Sequence, residues 1–301
     1  MGKINKAFLY AYKRPRVLLT YVWRKMSPIL PAGLYLKVMY RIRMGYWMDF
    51  NHPVTFNEKL QWLKLNDHNP DYIKMVDKYE VKDYVANILG MEYIIPTLGV
   101  WDGVEDIEWD KLPNQFVLKC THDSGGLVIC KDKARLDIET AKKKLKKSLS
   151  TNYYNEGKEW PYKHVKPRII AEKYMTDGDD GLKDYKFFCF NGEVKFFKVD
   201  YGRYVDHHAN YYSPQGDFLA FGEKCYPFDE NADIHLPSNL REMVQLAQRI
   251  AEGHSFVRVD LYNNNGNILF GEITFFPFSG FGEFNPKEYD QKIGGLFQVC
   301  I

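Results

Sequence analysis

Polar and apolar positions along the chain change period several times, and each change predicts an element. From residue 1 to about 70 the apolar residues recur at helical spacing in short runs broken by Pro28, Pro31 and Pro53. In T-F-N-E-K-L-Q-W-L-K-L, Thr55 precedes Glu58 by three positions, a capping box opening a stripe of Leu60, Leu63 and Leu65. The next stretch, from Asp71 to a terminal Gly90, keeps a helical period throughout and predicts one continuous helix. E-Y-I-I-P-T-L-G-V-W then reads as extended. F-V-L-K-C-T and G-L-V-I-C-K predict two strands joined across H-D-S-G-G. L-D-I-E-T-A-K-K-K-L-K-K-S-L is an amphipathic basic helix, and R-I-I-A-E-K-Y-M a strand.

Beyond the loop D-G-D-D-G, D-Y-K-F-F-C-F and E-V-K-F-F-K-V-D-Y form a hairpin turned by Asn191-Gly192. A helix capped by Ser238 and ending at Gly253 follows, then strands V-R-V-D-L-Y and I-L-F-G-E-I-T-F joined by N-N-N-G. Hairpins mixed with helices, without strand–helix alternation, predict an α+β fold with antiparallel sheets. No repeat or low-complexity linker interrupts it.

Charge changes this picture in one place. The 301 residues carry a net charge of only +2, which does not point to nucleic acid. Residues 1–50, however, hold ten basic residues and one acid, Asp49, interleaved with aromatic and aliphatic positions. Two readings stand: a solvated basic face on helices packed against the core, or contact with an anionic polymer or the inner face of a membrane. V-L-L-T-Y-V-W is too short and too closely flanked by Arg16 and Arg24 to span a bilayer, and no small-residue cleavage site follows it. Five unpaired cysteines and no secretion signal place the expected location in the cytoplasm.

Two constellations carry chemistry. Lys119 sits inside the strand F-V-L-K-C, just before a glycine loop whose amides can cradle phosphate. Asp260 and Glu272 fall on one sheet face if the final strands pair, with Arg258 two residues before Asp260 on the same face. Paired carboxylates that leave room for phosphate oxygens suit Mg²⁺. No P-loop and no dinucleotide fingerprint occurs.

Together the ordered segments N-H-P-V-T-F-N-E-K-L-Q-W-L-K-L, V-L-K-C-T-H-D-S-G, P-R-I-I-A-E-K-Y-M, D-Y-K-F-F-C-F-N-G and F-V-R-V-D-L-Y with F-G-E-I-T-F-F-P-F-S-G resemble the ATP-grasp superfamily, and within it the TupA-like proteins of teichuronopeptide synthesis. The resemblance covers residues 50 to 290. It implies ATP held between two antiparallel-sheet lobes, with a helical basic extension at 1–70, a preceding segment at 71–115, a small lobe at 116–178 and a large lobe at 179–301. Lys119 and either Lys78 or Lys82 would meet the phosphates, under a loop of Ser124, Gly125 and Gly126 with His122 beside it. Lys173 and Tyr174 would offer backbone to the adenine edge, Met175 would pack on the ring, and Glu172 would reach base or ribose. Asp184, Lys186 and Arg203 would lie where related ligases hold anionic substrate or phosphate. Asp260, Glu272 and Thr274 would bind Mg²⁺, Thr274 standing where many relatives have Asn, and Arg258 would steady the transferred phosphate. The implied activity is carboxylate–amine ligation through an acyl phosphate, joining an amine or amino acid to a uronic-acid carboxyl on an anionic or lipid-linked glycan. A sugar or lipid kinase and a glycosyltransferase are the alternatives.

Overall fold

The computed structural model describes residues 15–176, 183–202 and 206–300. Arg203 lies outside them. In chain order the elements are α1 (Pro15–Met26), α2 (Ala32–Met44), α3 (Phe56–Asn66), α4 (Asp71–Val76), α5 (Glu80–Leu89), β1 (Thr97–Trp101), β2 (Phe116–Cys120), β3 (Leu127–Cys130), α6 (Ile138–Leu149), α7 (Tyr154–Gly157) and β4 (Ile169–Lys173). Then come β5 (Asp184–Phe190), β6 (Glu193–Tyr201), β7 (His208–Tyr212), β8 (Phe218–Leu219), β9 (Gly222–Glu223), α8 (Leu240–Ala251), β10 (Phe256–Asn264), β11 (Asn267–Thr274), β12 (Phe284–Asn285) and α9 (Glu288–Gly294). The strands make a four-stranded sheet, β1-β4-β2-β3, and a six-stranded sheet, β11-β10-β5-β6-β7-β8, with β12 paired to β9. All pairings are antiparallel, so the α+β reading holds.

Period-2 alternation decides which side of the large sheet is which. Along β10, Val257, Val259 and Leu261 point to one face, where α8 packs through Met243, Leu246 and Ala247. Phe256, Arg258, Asp260 and Tyr262 point to the other. That second face is aromatic at one end, where Phe256 packs tilted against Phe190, and Phe56 of α3 closes edge-on over Phe256 with ring centres 4.9 Å apart. At its opposite end it is charged. Both hairpins turn as expected, with Asn191-Gly192 at φ of 51° and 80° and Asn265-Gly266 at 52° and 90°, the left-handed pair of a type I′ turn.

Helix α3 owes its start to the predicted box: the Thr55 hydroxyl accepts from the Glu58 amide while the Glu58 carboxylate accepts from the Thr55 amide. Its apolar stripe is only half its role. Asn57, Lys59, Gln61 and Lys64 are buried as well, and each is held by the C-terminal segment. Asn57 donates to Asp290 and to the Gly282 carbonyl, Lys59 to the Gly294 and Phe297 carbonyls, and Gln61 to the Gly280 carbonyl. Lys64 donates to Ser279 Oγ and to the Gly157 and Ser279 carbonyls, and burial pushes its amine down to about 7. These bonds fasten a turn in which Phe278, Ser279 and Gly280 all have positive φ.

Two expectations are corrected. The helix expected from Asp71 to Gly90 is broken at Asp77, because its carboxylate accepts from the Tyr79 and Glu80 amides and from Arg168, while the Lys78 amide donates to the Thr121 carbonyl. Ser238 does not cap α8: Asn239 precedes the helix with no side-chain cap, its own amide group being engaged with Gly266 and Asn263. In addition, β1, from the segment expected to precede the small lobe, is an edge strand of the four-stranded sheet, paired with β4.

The α3–α9 contact generates a stability test. A Cβ on Gly294 would stand 2.4 Å from the Val54 carbonyl oxygen and 2.7 Å from the Phe56 nitrogen, both backbone atoms. Gly294→Ala is expected to lower the unfolding free energy by about 1–3 kcal/mol, read as a fall in the urea midpoint at unchanged m.

Candidate functional site

A cavity of about 310 Å³ lies between the two sheets. Its floor is the charged end of the large sheet, and the register explains why the charges meet. Reading across the strands, Glu272 pairs with Asp260, Asp260 with Lys186 and Lys186 with Lys198, one transverse row on one face. The flanking rows add Thr274 opposite Arg258 and Asp184 opposite Asp200. Buried charges survive only when matched: Asp260 and Lys186 answer each other across the strands, while the like-charged pairs in these rows are offset by Arg258 on Asp260, Lys186 on Asp184 and Glu223 on Lys198.

Arg258 grips Asp260 with a fork of two bonds, Nε to Oδ1 at 2.7 Å and Nη2 to Oδ2 at 2.8 Å, and the same Nη2 reaches Thr274 Oγ1 at 2.9 Å. Thr274 in turn donates to Glu272 Oε1 at 3.0 Å. Lys186 lies 2.5 Å from both Asp184 and Asp260. Burial pushes the Glu272 carboxyl up, but Lys78, Arg258 and Lys186 outweigh it and hold the group below its ordinary range. Burial wins at Asp260, which stays above its ordinary value against the pull of Arg258 and Lys186, with Asp184 adding to the rise. Glu272 forms no ion pair with the described residues, so it is the carboxylate on this floor most open to a further cation.

The roof belongs to the small sheet. Lys119 on β2 and Lys82 on α5 both close on Glu172 of β4, each at 2.5 Å, and Lys82 also donates to the Ile95 carbonyl. Burial alone would raise Glu172; Lys119 and Lys82 outweigh it and hold it low. The break at Asp77 turns Lys78 toward the β2–β3 loop, where its amine donates to the Asp123 carbonyl. In that loop the Asp123 carboxylate is engaged: it accepts from the Gly126 amide at 3.2 Å and from Ser148 of α6. The Ser124 and Gly125 amides donate to no group of the described residues. Gly126 is required by space, since a Cβ there would meet Ser148 Oγ at 2.3 Å.

The structure therefore gathers Lys78, Lys82, Lys119, Ser124, Gly126, Glu172, Asp184, Lys186, Arg258, Asp260 and Glu272 around one cavity. Other residues named from sequence stand elsewhere. His122 is buried and meets the Thr151 carbonyl at 3.1 Å. Lys173 cannot offer its amide to a ligand, because that amide donates to the Pro96 carbonyl. Glu172, expected to reach base or ribose, has one oxygen on Lys82 and the other on Lys119. Gly125, Tyr174, Met175 and Thr274 are outside the cavity lining. The apolar part of the wall is instead Ile94, Ile95, Leu127 and Phe270. Sequence reading missed these four; the I-I-P run before β1 and the alternation of β11 were the available signals.

The lining is balanced in charge, with five cations (Lys78, Lys82, Lys119, Lys186, Arg258) against five acids (Asp123, Glu172, Asp184, Asp260, Glu272). A polyphosphate entering such a cleft needs added positive charge, and hard carboxylate oxygens without a complete cage suit Mg²⁺ sharing its shell with phosphate. No group of three or more His, Cys, Asp or Glu among the described residues forms a cage of its own. The donors present fit a shared Mg²⁺ held by Glu272, with Asp260 beside it.

Between them, the two antiparallel sheets, the lysines of the roof and the acidic floor define an ATP-grasp architecture. The chain belongs to the TupA-like ATP-grasp family, whose model matches residues 58–298. Among solved structures it is similar to D-alanine–D-alanine ligase from Bacillus anthracis, at 16% identity and TM-score 0.39 over 67% of this chain and 57% of that one. It is also similar to an L-amino acid ligase from Bacillus licheniformis, at 16% identity and TM-score 0.42 over 74% and 49%. The chain thus spans about half the length of these structures, and likenesses this remote say nothing about substrate. No curated protein matches the sequence.

Glu172 supplies a pH test. Its charged form is favoured by folding, so its contribution is complete above the ordinary glutamate value of 4.5 and is lost as pH falls through the lower folded value. Glu172→Gln leaves two lysines without their anion and is expected to remove about 3–5 kcal/mol at neutral pH. The difference from wild type should hold above pH 4.5 and close below it, as followed by urea denaturation across pH.

Proposed function

We propose that the protein is an ATP-dependent carboxylate–amine ligase that joins an amino acid or amine to a uronic-acid carboxyl of a cell-surface polysaccharide. The observation that supports ligase chemistry is the pairing of two opposed surfaces across one cavity. Lys78, Lys119 and the open Ser124 amide form a phosphate-binding roof, with the open Gly125 amide next to it in the loop, facing a floor of Arg258, Asp260, Lys186 and Glu272. Nothing on that lining suits covalent catalysis by the protein. Its one cysteine, Cys120, is buried, and burial pushes its thiol up to about 11, far from a working thiolate.

The chemistry then rests on position and charge. An oxygen of the acceptor carboxylate bonds to the γ-phosphorus of ATP while the bond to the ADP oxygen breaks. Lys119, released from Glu172 by the incoming phosphate, and Arg258 neutralise the charge in transfer. The amine nitrogen next attacks the acyl carbon, the bond to the phosphate oxygen breaks, and the amine proton passes to solvent. Mg²⁺ at Glu272 and Asp260 would supply further neutralisation of the phosphates. Arg258 and Thr274 hold Glu272 and Asp260 in register through the chain of bonds that joins them. The Ser124 hydroxyl, 3.0 Å from Tyr153 OH, steadies the loop over the phosphates. The glycan setting is supported by membership of the TupA-like family alone.

Incubation with ATP, a candidate uronic acid and hydroxylamine tests the reading. A hydroxamate formed in step with phosphate release is expected; a phosphorylated sugar with no hydroxamate would make the protein a kinase instead. Thermal protection by a uridine sugar and none by Mg-ATP would favour a glycosyltransferase. Glu272→Gln is expected to lower turnover by about a hundredfold or more while the melting temperature moves only a few degrees, because the side chain has no ion pair to lose.

A further inference from the structure

Helix α1 is turned inside out relative to an ordinary surface helix. Among its residues 16–26 only Thr20 and Trp23 are partly covered, Trp23 donating from its indole nitrogen to the Tyr35 carbonyl at 3.1 Å. The outward side carries Val17, Leu18, Tyr21, Val22 and Met26, with Tyr21 60% exposed and Val22 51%. Ile29, in the turn that follows, is 79% exposed. A helix of globular proteins normally buries such positions, and contiguous exposed apolar surface marks an interaction site.

The charges on the same helix indicate what covers it. Arg16, Arg24 and Lys25 are its only ionisable charged residues, with no acid among its twelve residues. Exposed Lys37 on α2 lies beside the exposed Trp47, with one acid, Asp49, at the same place. Aromatic and aliphatic side chains flanked by cations are the composition of a helix lying in the plane of an anionic bilayer surface. At twelve residues α1 is too short to cross one, and no helix of the described residues is long and apolar enough to do so. The helix is nonetheless held in place: Arg24 pairs with Glu156, and Lys158 donates to the Ser27 carbonyl at 2.6 Å. It also lies before residue 58, where the match to the catalytic family begins.

We infer that the outward face of α1 docks on an anionic lipid surface. The inference rests on α1 and not on the ATP site, so either can fail without the other.

Co-sedimentation of the full chain with phosphatidylcholine vesicles, with and without phosphatidylglycerol, tests it. The protein is expected to pellet with the phosphatidylglycerol vesicles, and less so as salt is raised. Leu18→Asp with Val22→Asp should weaken that binding by about tenfold or more, at unchanged melting temperature and ATP binding, since both positions are exposed. Lys25→Glu with Lys37→Glu should weaken it through charge alone. Wild-type protein that stays in the supernatant overturns the proposal, as does pelleting that the Asp pair leaves undiminished. A wild-type dimer in light scattering that the Asp pair makes monomeric, without lipid binding, would overturn it too and make the face a self-association surface.

Discussion

Charge placed on the buried face of a sheet has to be answered by opposite charge within reach, along the same strand or across it, and that requirement organises this molecule. Glu272, Asp260, Lys186 and Lys198 succeed one another across β11, β10, β5 and β6 because antiparallel register puts directly paired residues on one face. A one-residue slip in any of these pairings would turn charge into the apolar layer under α8 and valines into the cavity. The back of the sheet must therefore be closed by an apolar helix, and α8 closes it. The far end of the same face must be filled with rings, and Phe56, Phe190 and Phe256 fill it.

Helix α3 is bound into this arrangement by polar bonds as well as by its apolar stripe. Asn57, Lys59, Gln61 and Lys64 each donate to backbone carbonyls between Ser279 and Phe297. Burying four polar side chains is tolerable because each finds partners, and the effect is to hold the turn after β11 in left-handed backbone that non-glycine residues adopt reluctantly. The strand that carries Glu272 is thereby pinned at its exit.

Roof and floor use the same device with different outcomes. Glu172 binds two lysines, so it orders Lys82 and Lys119 over the cavity. Glu272 has a hydroxyl for a partner and no described cation, so it retains capacity for one. Asp123, an acid in a loop suited to phosphate, is engaged by Gly126 and Ser148. These three carboxylates differ in role because of what each can reach in space, not because of residue type.

Local pattern was enough for much of this. The Thr55–Glu58 box, the two Asn-Gly turns, the strand pairings they impose and the side of β10 on which Arg258 and Asp260 lie are short-range consequences of backbone geometry, and the sequence by itself determined them. The ordered segments also sufficed to place the chain in its family. Tertiary structure alone decided the rest. A helical period runs unbroken through Asp77, and only the distant Arg168 and Thr121 show why the helix stops there and turns Lys78 to the cavity. Lys82 and Glu172 are ninety residues apart, as counted from their numbers, and no periodicity predicts that they meet. Nor does any local pattern reveal that the apolar side of α1 faces outward, since burial depends on what lies opposite a surface and sequence records only the surface.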